Sequence, residues 1–374
     1  MKYKKKKFFC LISILLSACL LCSCGAYEPD THFPAKISAE MSMAFKEYCQ
    51  TYEVSGGACR LIDGGGNILW NETWGNMTDN SLFAVASITK MFTATVIFNL
   101  EEEGLLSFDD GIDAYLPDET VDGIAVLDGR DYSHDITVRQ LLSHTSGIAD
   151  YFSESSDKYD SIRSVCYYKE DLSYDFDDAL AMTRELEAHF VPGTEGEAYY
   201  SDFNYQLLGK IIETATGQSL EYNYKKYIFE PLDIKNTFVF TKGMSWDGIQ
   251  LIDLPCGTKG LPLMEAGEGA CGGIISTMDD ITAFIQGYMN GELFDVSYFK
   301  EIYQFTELNS PDSFYGMGLM MYDDEYELYG HTGSFGTAVF YCPDLDIYVI
   351  GTFNNCSTSK NLALIEWLLD CCSR

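Results

Sequence analysis

Beyond residue 24 the 374-residue chain holds no Cys-x-x-Cys pair, and nowhere does it hold His-x-x-x-His, His-Glu-x-x-His or Gly-x-Ser-x-Gly. The first absence argues against the common zinc frameworks, the next two against a helical metalloprotease site, and the last against an α/β-hydrolase elbow. Histidine is scarce, with five residues. Basic residues are scarce too: 24 Lys and Arg stand against 57 Asp and Glu, a formal net charge of −33. A surface so anionic repels phosphate backbones, so nucleic acid is not an expected partner. After the N-terminal segment no apolar run is long enough to span a bilayer, and no internal repeat is present. One Gly-x-Gly-x-x-Gly stretch, "GEGACG" (267–272), lacks the preceding parallel strand and βαβ unit of a dinucleotide site. No cofactor and no metal is therefore expected.

What is present begins with a leader. "MKYKKKK" is a basic segment, "FFCLISILLSACLL" a short apolar one, and "CSCG" leads into polar sequence. This is the pattern of a secretory signal over residues 1–24. Small residues before a cysteine resemble a bacterial lipoprotein signal, with Cys24 as the lipidated residue or Cys19 as the alternative. The resemblance implies an extracytoplasmic protein held on a membrane through a lipid anchor. Without residues 1–24, 19 basic residues face 57 acidic ones. Nine cysteines remain, an odd number that fits buried small apolar residues. A Cys49–Cys59 disulfide stays open as an alternative.

Residues 25–37 read as a tether and 38–374 as one composite domain. "ISAEMSMAFKEYCQTY" (37–52) has helical spacing, and "GACRLIDGGGNILWNETWG" (57–75) alternates about a Gly-rich turn as a β-hairpin does. The middle, about 105–275, is mainly helical and mixed. "STMDDITAFIQGYMNG" (276–291) reads as a helix with a serine cap, early acids and a late glycine. From 314 onward come short strands and a final helix, "NLALIEWLLDCC". Hairpin first, helices in the middle and strands last predict an α+β fold. Its antiparallel sheet is formed from both chain ends, flanked by helices, with a helical region inserted between them.

The pattern Ser-x-x-Lys occurs at Ser87/Lys90, Ser155/Lys158, Ser297/Lys300 and Ser357/Lys360. Only the first heads a run that is apolar nearly all round, Leu82 to Leu100, closed by "EEEG" with Gly104 at the C-cap. A serine hydroxyl needs a base and oxyanion donors to act as a nucleophile. In a helix, Lys90 shares a face with Ser87 one turn away. Burial and the helix dipole should lower the Lys90 pKa and let it accept a proton.

Two further stretches join this one: "EAYYSDFNYQLLGK" with Tyr200, Ser201 and Asp202, and "LYGHTGSFGTAVFY" with His331, Thr332 and Gly333. Together with "LLSHTSGI" (141–148) and "GACGGIISTMDDITAF" (269–284), they resemble the serine β-lactamase and penicillin-binding-protein superfamily. The likeness is to its β-lactamase-related hydrolase branch, with class C β-lactamases and D-alanyl-D-alanine carboxypeptidases. That resemblance implies Ser87 as acylated nucleophile, Lys90 and Tyr200 as the groups that move its proton, and the N–H groups of Ser87 and Ser334 as oxyanion hole. It implies His331, Thr332 and Gly333 as the strand edge that receives substrate. The expected partners are a small molecule or a peptidoglycan peptide. Two positions depart from the pattern. Asp202 stands where the family usually has Asn; it cannot donate as an amide does, and it can pair with Lys90 and leave base duty to Tyr200. His331 stands where many relatives have Lys, which makes charge recognition of a substrate carboxylate pH-dependent. By itself, His144 reads as a turn residue. The other functional reading is a surface binding or sensing protein with this fold and little turnover.

Overall fold

The helical spacing near the start becomes α1, Ala35–Thr51, and the alternating stretch becomes β1, Gly56–Asp63, and β2, Ile68–Gly75. The computed structural model describes residues 33–308 and 313–373. The leader, with Cys19 and Cys24, and most of the tether lie outside the described residues.

The C-terminal half supplies β3, Thr306–Glu307; β4, Ser313–Tyr315; β5, Met320–Asp323; β6, Glu327–Thr332; β7, Ala338–Cys342; and β8, Ile347–Thr352. The sheet has eight strands in the order β3-β4-β5-β6-β7-β8-β1-β2, and every pairing is antiparallel. β1 lies between β8 and β2, with Ala58 opposite Thr352 and Thr73. The two chain ends therefore share one sheet, as the order of elements predicts.

Helices cover both faces. α1 packs with the last helix, Thr358–Cys372, over one face through Phe45, Trp70, Phe353 and Leu368. The other face meets the helix Met278–Met289. Its cap is Thr277, whose hydroxyl accepts from the Asp280 N–H, rather than the expected Ser276. Ser276 instead ends a short strand paired with Phe83. No disulfide joins Cys49 and Cys59; both are buried thiols. Among the described residues no helix is long and apolar enough to cross a membrane.

Three inner helices set the site: α2, Thr89–Glu102; α3, Asp202–Thr216; and α4, Pro262–Gly272. α2 is buried from Thr89 to Phe98, in keeping with its apolar circumference. α3 and α4 pack against it and against each other. Gly104, with φ +69°, follows the end of α2 as its sequence position predicts.

Candidate functional site

Ser87 sits in a single 3-10 turn, Ala86–Ile88, that runs straight into α2. Ala86 holds the left-handed conformation, φ +50°, which a residue with a Cβ adopts only at a cost of about 1–2 kcal/mol. That turn carries Ser87 to the floor of a cleft of about 510 Å³. The cleft is lined by Ser87, Tyr200, Asp202 and the segment His331–Ser334. Three stretches far apart in sequence thus meet, as expected. Lys90 lies beneath them, wholly buried.

The approach of β6 to Ser87 depends on a glycine. A Cβ on Gly333 would lie 2.0 Å from Thr337 Oγ1 and 2.5 Å from the Val85 carbonyl oxygen. The Thr337 hydroxyl donates to that same Val85 carbonyl at 2.9 Å, tying the two segments together. Ser334 is brought beside Ser87 in this way. β5 ends its ladder at the Met320–Gly330 pair, so His331 and Thr332 are laddered only to β7, opposite Val339 and Ala338. The other edge of that segment faces the cleft.

Lys90 Nζ donates to Ser87 Oγ at 3.2 Å, to the Cys271 carbonyl at 2.8 Å, and to Asp202 Oδ1. All three ammonium protons have acceptors. Asp202 is the first residue of α3, where the helix N-terminus favours a carboxylate. Burial pulls the Lys90 pKa down, but the Asp202 carboxylate, with Tyr200 and Cys271, more than reverses it, and the net direction is well above the ordinary lysine value. This corrects the expectation of a lowered pKa. Lys90 is held charged, and the alternative reading of Asp202 as its counter-ion is the one the geometry supports.

Tyr200 stacks beside this pair, with its ring centroid 4.9 Å from Lys90 Nζ. Burial pushes its phenol well up, against the Lys90 charge and hydrogen bonding from Lys90 and Ser87. Tyr200 is a neutral phenol in reach of both groups. Behind it lies His144, buried in the turn its sequence suggests and left-handed there (φ +57°), with its ring centroid 4.4 Å from that of Tyr200. His144 Nδ1 accepts from the Ser201 N–H at 3.2 Å and from Asn204 Nδ2 at 2.9 Å. The turn histidine therefore also seats the Tyr200 loop.

His331 departs from expectation. It is fully buried, its Nδ1–H donates to the Thr332 carbonyl at 2.6 Å, and Nε2 lies 3.1 Å from the Tyr315 hydroxyl. Burial, then the Lys90 charge, push its pKa down to about 3. It is a neutral strand residue over the physiological range, not a pH-dependent carboxylate receptor. An exposed cation does line the cleft: Arg163, which the sequence reading missed. Also missed were three buried acids. Asp150 faces the cleft, accepting from the N–H groups of Asp202, Phe152 and Ser153, and burial with the nearby Asp202 pushes its pKa up to about 7. Glu265 and Glu268 lie on α4 beside Ser87. Two glutamates in "LPLMEAGEGACGG", a stretch otherwise small and apolar, were the available signal.

A serine at the head of a buried helix, a lysine one turn deeper, a neutral tyrosine over both and a strand edge alongside make the architecture of an acyl-transferring serine site. The chain belongs to the Beta-lactamase family, whose profile matches residues 42–364. It is 36% identical over 189 residues to penicillin-binding protein 4* of Bacillus subtilis (strain 168), a match covering 48% of this chain and 37% of that one. The chain thus spans well under half the length of that curated relative. Among solved structures, a D-stereospecific amidohydrolase from Streptomyces sp. superposes with TM-score 0.70 and 26% identity, covering 87% of this chain and 97% of the other. The D-amino acid amidase from Ochrobactrum anthropi SV3 shares the fold, with TM-score 0.73 and 22% identity over 88% of this chain and 99% of its own.

Proposed function

We propose that the protein is a serine hydrolase that forms an acyl-enzyme on Ser87, acting on small amides, esters, β-lactams or peptidoglycan peptides. The observation that carries this reading is the convergence of Ser87, Lys90, Tyr200 and Asp202. In this scheme the Ser87 hydroxyl attacks the carbonyl carbon, and the N–H groups of Ser87 and Ser334 receive the developing oxyanion. Tyr200, being neutral, works as a relay. Its oxygen takes the Ser87 proton as its own proton passes to the leaving nitrogen or oxygen. The phenol ends the step as it began, and the proton count closes. Lys90, fixed as a cation by Asp202, stabilises negative charge on the phenol oxygen during the transfer. Water then enters and the relay runs in reverse: water loses a proton to Tyr200, the acyl–Oγ bond breaks, and Tyr200 reprotonates Ser87. Thr332 and Gly333 present the strand edge to the substrate, while Arg163 is placed to meet a substrate carboxylate.

The leader supports an extracytoplasmic location with Cys24, or Cys19, as the lipid-bearing residue. The D-stereospecific activity named for the Streptomyces relative is compatible with an amide substrate here. The locked Lys90–Asp202 pair leaves one competing reading, a penicillin-binding or sensing protein with little turnover. Incubation with a fluorescent penicillin and with p-nitrophenyl acetate, for wild type and Ser87→Ala, tests the proposal. Ser87-dependent labelling with release of many equivalents of p-nitrophenol supports the hydrolase. One equivalent only supports the sensor, and equal silence of both proteins sinks the acyl-serine reading.

A further inference from the structure

Behind Ser87, on the α4 side, a cavity of about 10 Å³ adjoins the cleft. It shares Ser87, Asp202 and Ser334 with the main cleft, and its rear wall holds Glu265, Glu268 and Gly272. The volume is that of about one water-sized group. Glu265 is fully buried, and among the described residues neither of its carboxyl oxygens has a hydrogen-bond partner. Glu268 Oε1 accepts from the Tyr174 hydroxyl at 2.5 Å, and its other oxygen lies 3.4 Å from Cys271 Sγ. That second oxygen is also where a Cβ on Gly272 would fall, 2.4 Å away, so the glycine makes the room. Buried carboxyl oxygens without donors are costly, and they mark a place for a donor.

We propose that this cavity is the subsite for the ammonium group of an acyl donor bearing a free α-amine, so that the substrates are α-amino acid amides or esters and peptides with an open N-terminus. The inference rests on the acyl-serine reading of Ser87. Its geometry is simple: an α-nitrogen stands two bonds from the carbonyl carbon, and that carbon must bond Ser87 Oγ. The nitrogen therefore lies beside Ser87, and an ammonium matches a water molecule in size. The wall chemistry selects the same group. Asp202, Glu265 and Glu268 offer acceptors, which suit an ammonium. An acylated nitrogen brings a carbonyl that needs a donor, and Asp202 supplies none. Lys90 does not compete as a partner, because its three protons are already committed. Among the described residues no three His, Cys, Asp or Glu side chains converge as metal ligands, which favours an organic cation over a metal ion.

The electrostatics support this. Burial, then the neighbouring acids Glu268 and Asp171, raise the Glu265 pKa well above the carboxylate range. Burial and Asp202 push Glu268 up to about 7, with Tyr174, Lys90 and Cys271 opposing. An arriving ammonium supplies the counter-charge and displaces protons from these acids.

The test uses the full-length protein in detergent with both enantiomers of alanine p-nitroanilide, the des-amino analogue propionyl p-nitroanilide, and p-nitrophenyl acetate. For the better alanine enantiomer, kcat/KM is expected to exceed that of the propionyl analogue by about tenfold or more, and Glu265→Gln to shrink that ratio by a similar factor, mainly through KM. In the wild type, propylammonium is expected to inhibit hydrolysis of the alanine substrate at least about tenfold more strongly than propanol. If Glu265→Gln does not fold, Glu268→Gln takes its place and the propylammonium comparison stands alone. Equal handling of alanine and propionyl substrates, or equal inhibition by amine and alcohol, with p-nitrophenyl acetate still cleaved through Ser87, overturns the ammonium subsite and spares the hydrolase. Loss of Ser87-dependent turnover on every substrate overturns both.

Discussion

Lys90 and Asp202, 112 residues apart in sequence, form an ion pair withdrawn from solvent beneath Ser87. The pair defines the resting charge of the site: a fixed cation under the nucleophile and a carboxylate, which cannot donate as an amide does, beside it. Asp202→Asn tests both consequences. The amide restores a donor to the cleft and leaves a buried lysine without its counter-ion. Removing one partner of such a pair costs about 3–5 kcal/mol, so the melting temperature falls. With Asp202 neutral, burial dominates at Lys90 and its pKa drops. Acylation of Ser87 by benzylpenicillin, followed by intact mass, is expected to become slower, because the Tyr200 relay loses the fixed cation that steadies it. A faster rate would show that the missing amide donor, and not the Lys90 charge, limits acylation.

Tyr200→Phe isolates the relay. The phenylalanine keeps the ring contacts with His144 and Tyr315 and removes only the oxygen. Turnover of p-nitrophenyl acetate is expected to fall by about 10²–10⁴-fold, the usual worth of a positioned acid–base group. The melting temperature should move little. Turnover within about twofold of wild type would remove Tyr200 from the proton path.

Much of this was legible in the sequence because its signals were local and periodic. The apolar circumference of 82–100 forced a buried helix, and burial singled out Lys90 among four Ser-x-x-Lys copies. The hairpin and the C-terminal strands declared themselves by alternation, and their order placed both ends in one sheet. What was not legible depended on distant partners. The direction of the Lys90 shift is set by Asp202 on α3, and the neutrality of His331 by burial under Tyr315 and beside Lys90. Glu265 and Glu268 were not singled out, because their burial depends on α2, α3 and the Tyr174 segment, which no local pattern announces.

Substrate carboxylates are expected to depend on Arg163 and not on His331. With a pKa near 3, His331 stays neutral across the working range. KM for a carboxylate-bearing substrate should therefore show no histidine step between about pH 5 and 8, whereas Arg163→Gln should raise it by about tenfold. Measuring KM against pH for a matched pair of substrates, one with its carboxylate esterified, separates the two. A histidine-like step lost in His331→Gln would show that substrate binding exposes and charges His331.

The buried acids also reverse the usual dependence of stability on pH. A carboxyl whose pKa is raised by folding holds its proton more tightly in the native state than in the unfolded chain. As pH rises above the unfolded value, about 4 to 4.5, the unfolded state gains from ionisation first, and stability is lost until pH passes the folded value. Burial pushes Asp150 and Glu268 up to about 7, and Glu265 moves in the same direction. Asp131 and Glu154 are shifted the opposite way by their hydrogen bonds despite partial burial, but that contribution is already complete by about pH 5. The buried His144 and His331, whose pKa values burial lowers, oppose this up to about pH 6.5 because the unfolded chain binds their protons, so the melting temperature is expected to fall mainly as pH climbs from about 6.5 to 8. Glu265→Gln and Glu268→Gln should each flatten the slope, because an amide has no proton to lose in that range. Propylammonium should raise the melting temperature more at the alkaline end, where it pairs with carboxylates that have already ionised. A melting temperature that rises through this window in wild type would mean that the three acids are ionised and solvated, and that the wall beside Ser87 is not the dry, donor-poor surface described above.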